Sequence, residues 1–282
     1  ANDVAAKLIV QNQWTHLSLQ AVADEETKIH MPIKKKPIVR PLGDVLWKER
    51  EPMNLLQAQK IAMGSRAYSA QYQQNPTGDD ANFFKRDWWR FYKKRPDGFD
   101  IGCQTWDLAF KDHDTSSYVA GYYLVRRGPD IYVMDEVHAH LNFPATVTAI
   151  ETFTNKWPAT MKMHKLVEDT TNGPAVIATL QTKIPGIIPV RPEGSKVARA
   201  SAVSASVEGG NVWLPDPLVY PDARWVNDFI EEFARFPAEP NDRVDAISQG
   251  LLRLQLANVG REEEVEGDSL FLPSNGYNEF GE

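Results

Sequence analysis

Cysteine is nearly missing from this chain. Cys103 is the single one in 282 residues, which excludes an internal disulfide and a paired-cysteine zinc site and points to a reducing compartment. Long apolar runs are also missing. No stretch of about 18 apolar residues occurs, so no helix is expected to cross a bilayer, and the opening ANDVAAKLIVQNQW lacks the basic-then-apolar order of a signal peptide. No membrane partner is expected. A GxxxxGKS/T phosphate loop is absent too. Gly194-Ser195-Lys196 lacks the required spacing, so nothing here would cradle the phosphates of ATP. Finally, the chain has no excess of positive charge: 31 Lys and Arg stand against 38 Asp and Glu, a net charge of −7. The segment from Arg261 to Glu282 holds seven acids and one base, a net −6, and so leaves −1 for everything before it. A nearly neutral body can still turn a basic face to DNA, because a polyanion responds to local potential.

What is present is ordinary globular composition, 42% apolar, 24% charged and 10% aromatic, which rules out disorder throughout or a collagen-like repeat. Three zones are expected. Residues 1–99 are irregular and Pro-punctuated (MPIKKKPIVRPLGDVLW), with one helical pattern from Met53 to Tyr72 and an aromatic segment, FFKRDWWRFYKK. Residues 100–258 alternate cleanly. GCQTWDLAF, Ser117–Arg126 and Ile131–Val137 are three strands in a row, the last two separated by the turn signal Arg127-Gly128-Pro129-Asp130. Helices at 145–157, 173–183 and 195–207 then alternate with short strands at 164–167, 186–190 and 212–214, and two closing helices span 223–236 and 242–256. The pattern predicts an α/β fold, an antiparallel meander with parallel strands added to the same sheet and helices flanking it. The acidic residues 259–282 have no apolar period and are expected to be disordered.

Carboxylates stand where such a sheet gathers ligands, at strand ends. Asp107 lies inside the first strand's apolar run, Glu168 and Asp169 directly follow the HKLV strand, and Asp242 and Asp245 are three apart at the start of the last helix, on one face. Singly, each has a plain structural role: a strand-end acid paired with Lys or Arg for Asp107, a cap on the helix near Gly173 for Glu168 or Asp169, an N-cap for Asp242. Together they read as a metal site. Clustered carboxylates repel by about 4 kcal/mol per pair at ~4 Å and an effective dielectric of 20, and a divalent cation reverses that sign. Oxygen ligands without His or Cys favour Mg²⁺ or Mn²⁺, and two such ions would suit phosphodiester hydrolysis.

Several segments together resemble the ribonuclease-H-like nucleases, and more narrowly the C-terminal nuclease part of tailed-phage large terminases: YSAQYQQNPTGDDANFFKRDWWRFY, TWDLAFKDHDTSSYVAGYYL, LVEDTTNGPAVIATL, RPEGSKVARASAVSASVEGGNVWLP and FARFPAEPNDRVDAISQGLLRL. The resemblance covers most of residues 45–256. It implies a ribonuclease-H-like mixed sheet and a metal-dependent endonuclease that cuts double-stranded DNA during viral genome packaging with two Mg²⁺ or Mn²⁺ ions. Asp107, Glu168 and Asp242 match the family's metal-binding acids. Asp245 lies one turn on, where related resolvases also place an acid; Asp114 matches a further acid near the metals, and Asp169 competes with Glu168. The family's adjacent pair of acids at the last site reads Asn241-Asp242 here, which leaves the division between Asp242 and Asp245 open. With no phosphate loop, the chain is expected to be a nuclease part carrying a piece of the motor's end and linker. The resemblance also implies a portal protein and a small terminase subunit as partners, in the host cell cytoplasm and transiently at the procapsid portal. The other classes to weigh are a resolvase- or transposase-like enzyme acting on branched DNA and a non-cutting DNA or portal docking module.

Lys196 and Arg199, on one helix face, are candidate contacts to DNA phosphate or a solvated face. Lys34 to Lys36 and Lys85-Arg86 more simply keep loops soluble. Trp88, Trp89, Phe91 and Tyr92 could stack on bases but more simply pack the first zone on the core. His113 could move a proton or be merely exposed, and Cys103 reads as core.

Overall fold

The computed structural model describes residues 17–30, 36–76, 83–108, 118–157, 163–169 and 173–257, together with Leu8 and Ile33. The expectations for Lys34 and Lys35, for His113 and Asp114, and for the acidic residues 259–282 lie outside the described residues.

Three β-rich runs become three long strands, β4 (Ile101–Leu108), β5 (Tyr118–Arg127) and β6 (Asp130–His140), which pair antiparallel in sequence order. The turn between the last two carries Gly128 at φ +58, a left-handed conformation that suits glycine. Two parallel strands extend the other side of β4: β7 (Met163–Glu168) pairs with β4, and β8 (Ile187–Val190) pairs with β7. On the far side, β9 (Val212–Pro215) runs parallel to β6, and β3 (Arg90–Tyr92) closes the edge beside β9. The seven strands stand in the order β3-β9-β6-β5-β4-β7-β8, with β5 antiparallel to its two neighbours.

Side chains alternate across a strand, so β4 feeds two cores. Cys103 joins one and Trp106 and Leu108 the other. Trp106 fits because Gly121 stands opposite it on β5; a Cβ there would lie 2.3 Å from the indole ring. Helices α2 (Phe143–Lys156) and α3 (Gly173–Gln181) cover the Trp106 face through residues such as Ile150, Phe153 and Leu180. The Cys103 face is covered by α4 (Lys196–Glu208), α5 (Trp225–Arg235) and α6 (Asp242–Leu256). Asn142 caps α2 by accepting from the Ala145 N–H at 3.0 Å, with Pro144 in the first turn, and Ser195 caps α4 by accepting from the Ala198 N–H at 3.1 Å, as side-chain oxygens do for orphan helix donors.

The helix that carries the last pair of acids sits very close to the sheet. A Cβ at Gly250 of α6 would lie 2.9 Å from Leu124 and 3.0 Å from Thr105, so the missing side chain sets the depth of the helix. Thr105 adds a direct tie, its hydroxyl donating to the Ala246 carbonyl at 2.9 Å.

The first zone is more ordered than its Pro-rich sequence suggests. β1 (Thr27–Ile29) and β2 (Ile38–Arg40) form a separate antiparallel pair, and α1 (Met53–Gln71) is interrupted at Gly64, φ +79. Gly64 lies against Ala205 of α4, and Ser65 donates to Glu208 through its backbone N–H at 2.8 Å and through its hydroxyl. In the aromatic segment, Trp89 packs edge-on against Phe229 and Phe233 and Tyr92 is buried, while Phe91 remains 42% exposed. Packing therefore accounts for Trp89 and Tyr92, and the strand β3 was not anticipated.

Candidate metal centre

The register of the central strands decides which acids meet. Trp106 of β4 pairs with Val167 of β7, so the next residues, Asp107 and Glu168, leave neighbouring parallel strands side by side. Trp106 and Val167 share one core; alternation therefore turns Asp107 and Glu168 to the other face, toward α6. Asp245 approaches from the first turn of that helix, where its backbone N–H donates to the Asn241 carbonyl at 3.2 Å and where the helix dipole favours an anion. Each of Asp107, Glu168 and Asp245 offers a carboxylate oxygen, and these atoms lie within 4.8 Å of one another.

Asp107 is 4% exposed, and no ion pair to it exists among the described residues. Its carboxyl is pushed well above the usual carboxylate range, first by burial and then by the charges of Glu168 and Asp245; Lys196 opposes this, and Asp242 adds to it. Asp245 is neutralised from α4. Lys196 Nζ stands 3.0 Å from its Oδ2, and the Arg199 guanidinium donates to its Oδ1 through Nε at 3.2 Å and through a second nitrogen. Burial opposes the charge on Lys196, but Asp245, Asp107 and Asp242 outweigh it and hold the ammonium above its ordinary value. Lys196 also donates to Asn241 Oδ1 at 3.2 Å, and Arg199 to the Gly194 carbonyl at 3.1 Å. In this state both cations read from the sequence as phosphate contacts are engaged with the acid site.

Asp242 begins α6 and is not its N-cap, contrary to its plain structural role: the cap is Asn241, which makes no side-chain cap bond. Asp242 stands outside the group of three, although its charge acts on Asp107. Asp169 turns away: its backbone N–H donates to the Val190 carbonyl at 2.8 Å and its carboxylate accepts from Arg191 Nε at 3.0 Å. The sequence reading missed a buried network behind the site. Arg243 lies between Glu136 of β6 and Glu232 of α5. The one signal available was an acid at a core-facing position of an amphipathic helix, Glu232, which is 1% exposed.

Three oxygen-only donors, one of them buried without a paired cation, suit a hard divalent ion such as Mg²⁺ or Mn²⁺. The core order β6-β5-β4-β7-β8, with acids at the ends of the central and neighbouring strands, defines the ribonuclease-H-like class. The model of the terminase RNaseH-like domain family matches residues 104–254, more than half of the chain, and the protein belongs to that family. The solved structures it is similar to include the large terminase of a thermophilic bacteriophage in complex with ADP (11% identity, 73% of this chain and 52% of that chain, TM-score 0.56) and a further crystal form of the same terminase (12% identity, 72% and 53%, TM-score 0.54). The large terminase nuclease of thermophilic phage G20c with bound magnesium aligns with 63% of this chain and 99% of its own at 13% identity and a TM-score of 0.46. The chain thus spans about half the length of the large terminase solved with ADP. No curated protein sequence matches it. Among the described residues, no helix is long and apolar enough to cross a membrane.

Proposed function

We propose that this chain is a metal-dependent endonuclease that cuts double-stranded DNA during viral genome packaging. The observation that carries the reading is the convergence of Asp107, Glu168 and Asp245 on one point, with Asp107 buried and its carboxyl pushed up by its neighbours. Such a site is electrostatically unfavourable until a cation enters, which is the expected design of a carboxylate metal centre. Asp107, Glu168 and Asp245 hold Mg²⁺ or Mn²⁺, two ions in the full site, and Asp242 at the rim completes the set. When bound, the ions activate a water and stabilise the leaving 3′ oxygen of the phosphodiester.

The chain's own residues do the rest. Asp107, on the central strand between its neighbours, is the rigid reference of the site. Lys196 and Arg199 are held by Asp245; once a cation takes over that carboxylate, both can turn to a DNA phosphate. Phosphate contacts carry no base information, so cutting is expected to be largely independent of sequence. Family membership supports a portal protein and a small terminase subunit as partners, and the host cytoplasm with transient residence at the procapsid portal as the place of action.

The test is nicking and linearisation of supercoiled plasmid by the chain with Mn²⁺, with and without EDTA, beside Asp107→Asn. Cutting that needs the metal and is lost in a folded Asp107→Asn protein supports the reading. Cutting that survives in that variant refutes it, and a strong preference for a four-way junction over linear duplex would move the substrate to branched DNA.

A further inference from the structure

The Arg243 network is built into the interior and touches none of the three clustered carboxylates. The guanidinium donates through Nε to Glu136 Oε1 at 2.7 Å and through Nη1 to Glu232 Oε2 at 3.0 Å. Its side chain is 10% exposed, and those of the two glutamates 4% and 1%. Glu232 makes a second contact, accepting from the Arg243 backbone N–H at 2.8 Å. It thereby satisfies one of the orphan donors of the first helical turn, a service the cap residue Asn241 does not perform with its side chain. The Tyr122 hydroxyl donates to Glu136.

One cation stands against two buried carboxylates. Burial pushes both glutamates up; Arg243 opposes this, and Asp242 and Asp228 add repulsion at Glu232 and Glu136 respectively. Buried ion networks of this kind are often matched or bettered in stability by apolar residues of similar volume. Stability alone is therefore a poor reason for this one. Its position supplies a better reason, because Arg243 lies between Asp242 and Asp245 in the first turn of α6. Lys196 and Arg199 hold that turn from α4. Arg243 holds it from the opposite flank, to β6 and α5, while Gly250 and Thr105 fix its depth.

We propose that Arg243, clamped by Glu136 and Glu232, is a positioning residue for the metal centre: it fixes the rotation of the first turn of α6 and so the point at which Asp245 meets Asp107 and Glu168. The inference rests on the metal-nuclease reading above. Its effect is exerted through Asp245, so loss of the clamp lowers metal affinity and the catalytic rate and leaves the affinity for DNA nearly unchanged.

The experiment uses the full chain and a neutral replacement of the whole network, Glu136→Gln, Glu232→Gln and Arg243→Met together, which leaves no orphaned buried charge. Mn²⁺ binding is measured by isothermal titration calorimetry, and plasmid cleavage gives kcat and KM separately. The triple variant is expected to fold with a melting temperature in EDTA at or above that of the parent, to bind Mn²⁺ about 10–100-fold more weakly, the range seen when supporting partners of metal ligands are removed, and to lose kcat with KM for DNA little changed. Parent-like Mn²⁺ affinity and kcat in the folded triple variant overturn the clamp. If the triple variant does not fold, Glu232→Gln alone decides: a smaller loss of Mn²⁺ affinity in the same direction supports the proposal, and unchanged affinity overturns it. Asp107→Asn separates the two levels. A parent that binds no Mn²⁺, or binding that survives Asp107→Asn, removes the metal reading and the clamp with it. A parent that binds through Asp107 beside a triple variant that binds equally well removes the clamp alone.

Discussion

Replacing Asp107 by Asn should make the metal-free protein more stable and the metal-loaded protein less so. The carboxylate oxygens of Asp107, Glu168 and Asp245 lie within 4.8 Å of one another; at that separation and an effective dielectric of 20, each like-charged pair repels by about 3.5 kcal/mol. Asp107 takes part in two such pairs, and Lys196 offsets part of the sum. The amide keeps the shape and removes the charge, so a gain of about 1–3 kcal/mol in EDTA is expected at neutral pH, or about 2–4 °C per kcal/mol for a domain of this size. The pH dependence fixes the sign. The folded carboxyl is raised above its ordinary value. The folded state therefore holds the proton more tightly than the unfolded one, and the parent loses stability as pH rises from the unfolded value near 3.8 through the folded one. The gap between variant and parent in EDTA should thus be small near pH 4, widen as pH rises and then level off. With Mn²⁺ at 100 times its dissociation constant the parent gains about 2.7 kcal/mol and the variant gains little, so the order of melting temperatures inverts. Differential scanning calorimetry of both proteins, in EDTA and in Mn²⁺ from pH 4 to 8, reads all of this. A parent more stable than Asp107→Asn in EDTA at pH 8, or equal shifts of both proteins by Mn²⁺, would refute the electrostatic argument.

Three further outcomes are expected. Glu168→Gln should lower Mn²⁺-dependent plasmid cutting by about 100-fold, within the range for a lost charge-stabilising group; Asp169→Asn, whose carboxylate sits on the exposed Arg191, should cut like the parent, and a reversed order would exchange the two acids. Arg199→Ala removes a cation whose side chain is 11% exposed from a carboxylate 4% exposed, and urea unfolding in EDTA should show a loss of about 3–5 kcal/mol; a change under 1 kcal/mol would mean that Lys196 alone neutralises Asp245. Gly250→Ala should destabilise by about 1–3 kcal/mol, because the new methyl meets Leu124 and Thr105, and should weaken Mn²⁺ binding by lifting α6; a neutral result in both measurements would show that the helix has room to move.

The long elements were legible because they carry their own signals: the Arg127-Gly128 turn between two β-rich runs, Pro144 in the first turn of α2, Ser195 ahead of α4. Three-residue β3 was not, since Arg90-Phe91-Tyr92 has no alternation long enough to read and becomes a strand only by lying against β9. The meeting of Asp107 and Glu168 could be anticipated from two acids closing two apolar runs. The choice between Asp242 and Asp245 could not: residues three apart share a helix face, and only the depth set by Gly250 and the grip on Arg243 bring Asp245 inward. Glu136 and Glu232 looked like solvent-facing acids for the same reason; their partner comes from a helix more than a hundred residues after β6.

The account stands on the three carboxylates forming one cation site, and anomalous diffraction from crystals soaked in Mn²⁺ examines that directly. Manganese peaks bridged by Asp107, with Glu168 and Asp245 as further ligands and Lys196 displaced from Asp245, are the expected result. Diffraction at the manganese edge with no peak between these carboxylates, and Lys196 still on Asp245, would contradict it.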